Sequence, residues 1–417
     1  MSPSLLIWII AGVATAGVIL RPFGLPEALW ALAGAVVLVG SGLLAPAAAL
    51  AGVAKGTDVY LFLFGMMLLA EIARSEGLFD WLAALATRRA QGSPRRLFLL
   101  IYAVGTVVTV FLSNDATAVV LTPAVAAAVR AAKAEEPLPY LLICAFTANA
   151  ASFVLPISNP ANLVIYGNHM PPLLAWLPAY LVPSALAIWA TYVMLAWTQR
   201  DALTQTIVAH LPVPKLSAGG KTAAAGIVAT AAVLLASSAL DLQLGLPTAI
   251  AGTVTAAVVL IRDRKGPGTI AKDISWGVLP LVAGLFVLVE ALDQTGLIGT
   301  ISTILHDQVE RSAALAAGGA GIAVAIASNL MNNLPVGLIA GSAVQGTDVP
   351  EKVTRAILIG VDLGPNLSVT GSLATILWLS ALRREGRHVG AGPFLKLGFL
   401  VMPPALLLAI GAAVTLG

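Results

Sequence analysis

The chain has 417 residues, 59% of them hydrophobic and only 10% charged, with a net charge of +3 and a mean hydropathy of +0.93. Soluble domains carry about a quarter charged residues, so this composition cannot cover a globule in water and lipid must be the solvent. A soluble enzyme, a nucleic-acid binder and a disordered scaffold are excluded.

A membrane-crossing helix needs about 20 apolar residues. Runs of that length predict spans at 4–20, 26–50, 58–74, 173–197, 221–240, 245–262, 275–292 and 393–416. Ala14-Thr15-Ala16 resembles a leader cleavage site, but no basic residue precedes Arg21, so the first run reads as a helix. Between the third and fourth spans, 97–112 meets Ser113-Asn114-Asp115 before 116–130, and 140–155 meets Pro156, Asn159, Pro160 and Asn162. Between the seventh and eighth, 312–331 meets Asn332-Asn333 before 334–346, and 353–363 meets Gly364-Pro365-Asn366 and Gly371-Ser372 before 373–382. Arms of about 13 to 16 residues reach roughly 20 to 24 Å, short of a hydrocarbon core of about 30 Å. The regions 97–130 and 312–346 therefore read as re-entrant hairpins, and the other two as crossing helices unwound at mid-depth.

Sliding the chain on itself by about 220 positions aligns this punctuation. Gly24-Leu25-Pro26 falls on Gly245-Leu246-Pro247, Gly65 and Glu71 on Gly284 and Glu290, Ser113-Asn114 on Asn332-Asn333, and Asn159 on Asn366. Five crossings per copy is an odd number, so the second copy enters the membrane upside down. The predicted fold is an all-α polytopic membrane protein of two inverted-topology repeats, about ten transmembrane helices with two re-entrant hairpins and two broken helices. Residues 1–200 form the first repeat (hairpin 97–130, broken helix 140–170), 201–220 a cytoplasmic linker, and 221–417 the second repeat (hairpin 312–346, broken helix 353–382).

Cytoplasmic loops hold most Lys and Arg. With this topology only Lys55, Arg311, Lys352 and Arg355 fall opposite the other basic residues, many of which sit in a 74–96 loop. Both termini are expected outside a cell inner membrane.

Unwound backbone is tolerated in lipid only around protein or a water-filled cavity, so four breaks at one depth imply a shared polar site of the transporter kind. Lone Asn residues in membrane helices usually join helices, but here they recur at equivalent breaks, and an amide both donates and accepts. The expected substrate contacts are Ser113, Asn114, Asn159, Asn162, Asn332, Asn333, Asn366, Thr370 and Ser372. Carboxyls at membrane depth are functional by default, so Asp115 and Asp362 are the expected proton-coupling groups. Glu71 and Glu290 lie near helix ends and read as structural, and Asp293 as solvated. No Lys or Arg falls at the breaks, which favours a neutral cargo.

Other features carry no chemistry. Cys144 is the single cysteine, and His169, His210, His306 and His388 lie at span edges or in loops, so no thiolate or histidine metal site and no cofactor is expected. Gly219-Gly220-Lys221-Thr222 ends like a phosphate-binding loop but has Lys215 where the first Gly belongs. Trp30, Trp176, Trp189 and Trp197 read as interface anchors.

At the breaks the sequence resembles the arsenite efflux permeases of the ion transporter superfamily. The resemblance rests on Leu112-Ser113-Asn114-Asp115, Leu121-Thr122-Pro123, Met331-Asn332-Asn333-Leu334-Pro335, Asp362-Leu363-Gly364-Pro365-Asn366 and Thr370-Gly371-Ser372-Leu373-Ala374-Thr375. It implies export of arsenite and antimonite in exchange for protons, with an optional soluble ATPase partner. Arsenite in neutral water is mostly an uncharged hydroxide, which a site of amides and hydroxyls suits. The same fold moving sodium against protons, or carboxylates with sodium, is the alternative; a passive channel and an intramembrane enzyme rank below.

Overall fold

The computed structural model describes residues 2–167, 169–209 and 213–416; His210 lies outside the described residues. Every regular element among them is helical. The first half contains α1 (Pro3–Leu20), α2 (Glu27–Gly40), α3 (Pro46–Lys55), α4 (Thr57–Ser75), α5 (Leu78–Ala90) and α6 (Pro94–Phe111). It continues through the single turn α7 (Asn114–Ala116), α8 (Thr122–Ala131), α9 (Leu138–Ala150), α10 (Pro160–Tyr166) and α11 (Leu173–Thr198). The second half contains α12 (Ala218–Ala239), α13 (Gly245–Arg262), α14 (Gly268–Ala271), α15 (Val278–Asp293), α16 (Leu297–Arg311) and α17 (Ala313–Met331). It ends with α18 (Asn333–Gln345), α19 (Glu351–Leu363), α20 (Leu373–Arg384) and α21 (Ala391–Thr415). Among the described residues, seven helices are long and apolar enough to cross a membrane, or nine spans if the bent pairs α3–α4 (48°) and α15–α16 (73°) each count as one. The chain is an all-helical, multi-pass membrane protein.

Several sequence expectations need correction. The 26–50 run is two helices, because Gly42 turns with φ +74° and Pro46 starts α3 afresh. The 74–96 loop contains α5, and 297–311 is helix α16; both are too polar for a hydropathy window, yet each has a helical apolar face. In α5 that face buries Leu78, Phe79, Ala83 and Ala86 and leaves Arg88 and Arg89 in its last turn. The first arms of the two hairpins, α6 and α17, have 18 and 19 residues and meet the length for a crossing, so arm length does not support re-entrance for them. Helix α9 ends at Ala150, earlier than the expected break at Pro156. Trp176 is fully buried rather than at an interface, and its indole donates to the carbonyls of Phe153 and Val154 (3.3 and 3.2 Å). Trp189 and Trp197 are exposed, and Asp293 is exposed as expected.

The helices divide into two bodies. In one, α4 packs along α13 and α15 along α2 and α3, with α1 and α12 on the flanks. In the other, α17 packs on α19, α6 on α9 and α11 on α21. Helices α4 and α15 each pack on a helix from the other half of the chain. Their equivalent glycines make the close approach possible: a Cβ on Gly65 would lie 2.3 Å from the Thr248 carbonyl oxygen, and one on Gly284 would lie 2.8 Å from Ala31. Across the second body the short helices cross over too, α10 onto α18 and α20 onto the segment 117–121 that follows α7.

Overpacking a tight helix crossing costs about 1 to 3 kcal/mol, occasionally more. Gly65→Leu should therefore lower the thermal midpoint of the detergent-purified protein by several degrees. Gly299→Ala, where no atom lies within 4 Å, should leave it unchanged; equal midpoints for both variants would contradict the crossing.

Candidate functional site at the helix breaks

Each break begins with a capping residue. At the first hairpin tip Ser113 is extended, and its Oγ accepts from the Ala116 N–H at 3.2 Å. At the second, Asn332 sits at φ +74°, ψ 152°, and its Oδ1 accepts from the Leu334 N–H at 3.4 Å. In the broken helices Asn159 caps Ala161 (3.1 Å) and Ser372 caps Thr375 (3.1 Å). These side chains satisfy N–H groups that the interrupted helices leave without partners, and in lipid such groups are costly when unpaired.

Further amides hold the unwound strands. Asn162 Nδ2 donates to the Ser152, Leu155 and Pro156 carbonyls (2.9, 3.4 and 3.3 Å), filling the turn between α9 and α10. Asn366 donates to the Phe146 carbonyl (3.0 Å), while its own Oδ1 accepts from Asn149 (3.0 Å). The Thr370 hydroxyl donates to the Asn329 carbonyl (2.9 Å), and Asn329 itself donates to the Gly364 carbonyl (2.9 Å). The second tip is docked on this strand by the Asn333 N–H to the Gly371 carbonyl (2.8 Å) and by Asn332 to the Thr370 carbonyl (3.4 Å).

Two cavities share Leu63, Asp115, Pro160 and Val278 in their walls. The smaller, about 10 Å³, is where Asn114, Asp115, Asn159 and Asn333 meet; it holds about one water. The larger, about 480 Å³, runs from Ser113 and Asp115 to Glu71, Arg74, Asp273 and Arg384. At its far end Arg74 bonds Glu71 (2.8 Å from Nε) and Asp273 (2.7 Å), so its charge is already offset. Arg384 has no ion-pair partner among the described residues.

Of the expected substrate contacts, Asn114, Asn159 and Asn333 line the small cavity and Ser113 the large one. Asn162, Asn332, Asn366, Thr370 and Ser372 have side chains committed to the breaks themselves. The Asp115 carboxylate stands at the junction of the cavities and makes no hydrogen bond or ion pair among the described residues. Asp362 is fully buried and reaches neither cavity; its Oδ1 accepts from Asn159 at 2.7 Å. Sequence reading missed Asn149 and Asn329, which support the breaks from inside helices, where an Asn looks like ordinary helix glue, and Ser152 in the turn after α9. It also missed the vestibule: the small cavity holds no basic residue, but the large one carries Arg74 and Arg384, and Glu71 lines it.

Broken helices around a buried polar cavity in a polytopic helical protein define a membrane transporter. Residues 5–362 match the CitMHS family, described as citrate transporter, and the chain belongs to it. It is similar to the arsenical pump membrane protein of Escherichia coli, 28% identical over 359 residues and 83% of each chain. It is also similar to a putative arsenical pump membrane protein of Bacillus subtilis (strain 168), 24% identical over 419 residues and 94% of each. In fold it matches the YdaH transporter of Alcanivorax borkumensis, with a TM-score of 0.58 and 15% identity over 99% of this chain and 97% of that one. MtrF of Neisseria gonorrhoeae gives 0.56 and 13%, over 99% and 94%.

The division of the amides is testable. Asn162→Leu leaves three buried carbonyls without their donor and should cost about 1 to 3 kcal/mol, lowering the unfolding midpoint, whereas Asn114→Ala removes only the acceptor of the adjacent Asp115 N–H (2.9 Å) and should cost less. Thermal unfolding in detergent compares the two, and a larger loss in Asn114→Ala would reverse the assignment.

Proposed function

We propose that the protein exports arsenite and antimonite as neutral hydroxides in exchange for protons, by alternating access across the cell inner membrane with both termini outside. The observation that carries this is the meeting of Asn114, Asn159 and Asn333 with the unpartnered Asp115 carboxylate in a cavity without Lys or Arg. Amides donate and accept at once, which suits a trihydroxide, and an uncharged cargo needs no fixed countercharge. Cys144 is buried and is the single cysteine, so recognition is through oxygen and nitrogen contacts rather than a thiolate trap. The names of the curated relatives agree with this cargo.

In this reading the repeats are inverted and the chain is caught open toward the basic loops, through the vestibule that ends at Arg74, Asp273 and Arg384. Cargo enters there and displaces the proton from Asp115, and the hairpin tips part to admit it, since the pocket between them is too small as it stands. Ser113 flanks this path. The other capping and strand-holding residues keep the tips in register. No nucleotide site is built into the chain, so an ATP-driven mode would require a separate soluble ATPase subunit.

A second reading, carboxylate transport, is favoured by the family description and by Arg384 in the vestibule. Arg74 is neutralised by Glu71 and Asp273, which leaves Arg384 as the one free cation among the described residues of the vestibule for a multiply charged cargo.

Everted membrane vesicles with an imposed proton gradient separate the two. The proposal expects gradient-dependent, sodium-independent accumulation of arsenite and antimonite, and none of citrate or succinate; the reverse pattern would replace it with the second reading. Asn114→Ala and Asn333→Ala should each cut the rate at least tenfold, a loss of about 1.4 kcal/mol or more, without loss of folded protein. Asp115→Asn should uncouple flux from the proton gradient, and normal coupling in that variant would remove Asp115 from the mechanism.

A further inference from the structure

The two broken helices are tied to each other across the repeats, and the two ties differ chemically. Asn149 and Asp362 are each the next-to-last residue of a 13-residue helix, α9 and α19, and so occupy equivalent places. Asn159 and Asn366 both lie in the breaks that follow. Asn159 Nδ2 donates to Asp362 Oδ1 at 2.7 Å, and Asn149 Nδ2 donates to Asn366 Oδ1 at 3.0 Å. All four residues are buried, with exposures from 0% to 2%. The Asn149–Asn366 tie joins two amides and cannot change its charge. The Asn159–Asp362 tie ends on a carboxyl whose Oδ2 has no partner. The nearby Ser152 hydroxyl is no substitute, because it donates to the Asn149 carbonyl at 2.8 Å.

Asn159 is also where this tie meets the small cavity. One side chain lines the pocket with Asn114 and Asn333, caps the first turn of α10 through Oδ1, and reaches Asp362 through Nδ2. We propose that Asp362 is a positioning residue that sets the affinity of the cavity for cargo by way of Asn159. This deepens the proposed function and rests on reading that cavity as the cargo site.

With Asp362 ionised, the bond from Asn159 is charge-assisted and fixes both the amide and the start of α10. A proton from water adds to the free Oδ2; Oδ1 still accepts from Asn159, but the bond is now between neutral groups and about half as strong. The Asn159 amide is then held less firmly against the cavity, while the amide tie on the other side stays fixed. No other bond changes.

Asp362 is the one carboxyl that the described residues of the surrounding elements hold outside the opening turns of α19. Helices α17 and α18 carry no ionisable side chain. Helix α9 carries Tyr140 and Cys144, α10 Tyr166, α11 Tyr180 and Tyr192, and α21 Lys396, none of them a carboxyl or an imidazole. On α19 itself, Glu351, Lys352 and Arg355 lie in the opening turns, where Arg355 pairs with Glu351.

Asp362→Asn tests the idea, and the Asn149–Asn366 tie shows that two amides fit an equivalent place. In everted vesicles the wild-type KM for arsenite should shift about tenfold between mildly acidic and mildly alkaline pH. In an Asp115→Asn background, where proton competition at Asp115 is gone, the KM should still shift with pH, and adding Asp362→Asn should remove that shift while the maximal rate stays within about threefold of the Asp115→Asn parent; an unchanged pH profile overturns the proposal. A second measurement stands whether or not that variant folds. Infrared pH-difference spectra of Asp115→Asn should show one buried carboxyl titrating together with an Asn amide carbonyl. No titrating carboxyl, or one that moves without an amide, also overturns it. If wild type transports no arsenite, the proposed function fails, and the infrared result still decides the Asp362–Asn159 coupling.

Discussion

The structure depends on one constraint: in lipid, every backbone group freed by a broken helix must find a partner within the protein. Four breaks release many such groups, and side-chain amides and hydroxyls answer them. Ser113, Asn332, Asn159 and Ser372 cap the helices that restart. Asn162, Asn366 and Asn329 collect the stranded carbonyls. What remains uncommitted after these bonds are made is small in number and faces one place. Asn333 turns its side chain and Asp115 its carboxylate to the cavity that the breaks enclose, beside Asn114, whose Oδ1 also accepts from the Asp115 N–H at 2.9 Å.

The groups converge because each half of the chain supplies one helix turn and one unwound strand, and the short helices cross over, α10 against α18 and α20 against the turns after α7. Helices α4 and α15 do the same in the other body, where Gly65 and Gly284 let backbones touch. The counterpart positions of the two halves, as the sequence aligns them, are not chemically alike. Asp115 stands where the second tip has Leu334, and Asp362 where α9 has Asn149.

The breaks were legible in the sequence because Asn, Pro and Gly inside apolar runs have no cheaper explanation. Their recurrence at about 220 residues drew attention to them as a set. What could not be read was which amides face inward to ligand and which outward to backbone. Asn159 and Asn162 are three residues apart with the same chemistry, yet one lines the cavity and the other fills a turn. That difference comes from the path of the unwound strand, which no periodicity encodes. Helices α5 and α16 were missed for another reason: their apolar faces are balanced by Arg88, Arg89 and Arg311, and a window that averages over a turn reads them as loops.

The central claim is that cargo and proton compete for one cavity, so that binding either expels the other. The most direct measurement is proton release by the purified protein in weakly buffered detergent when arsenite is added. The account predicts release from the wild type that saturates with arsenite, and a reduced release from Asp115→Asn. Arsenite binding without proton release, or equal release from both proteins, would contradict it.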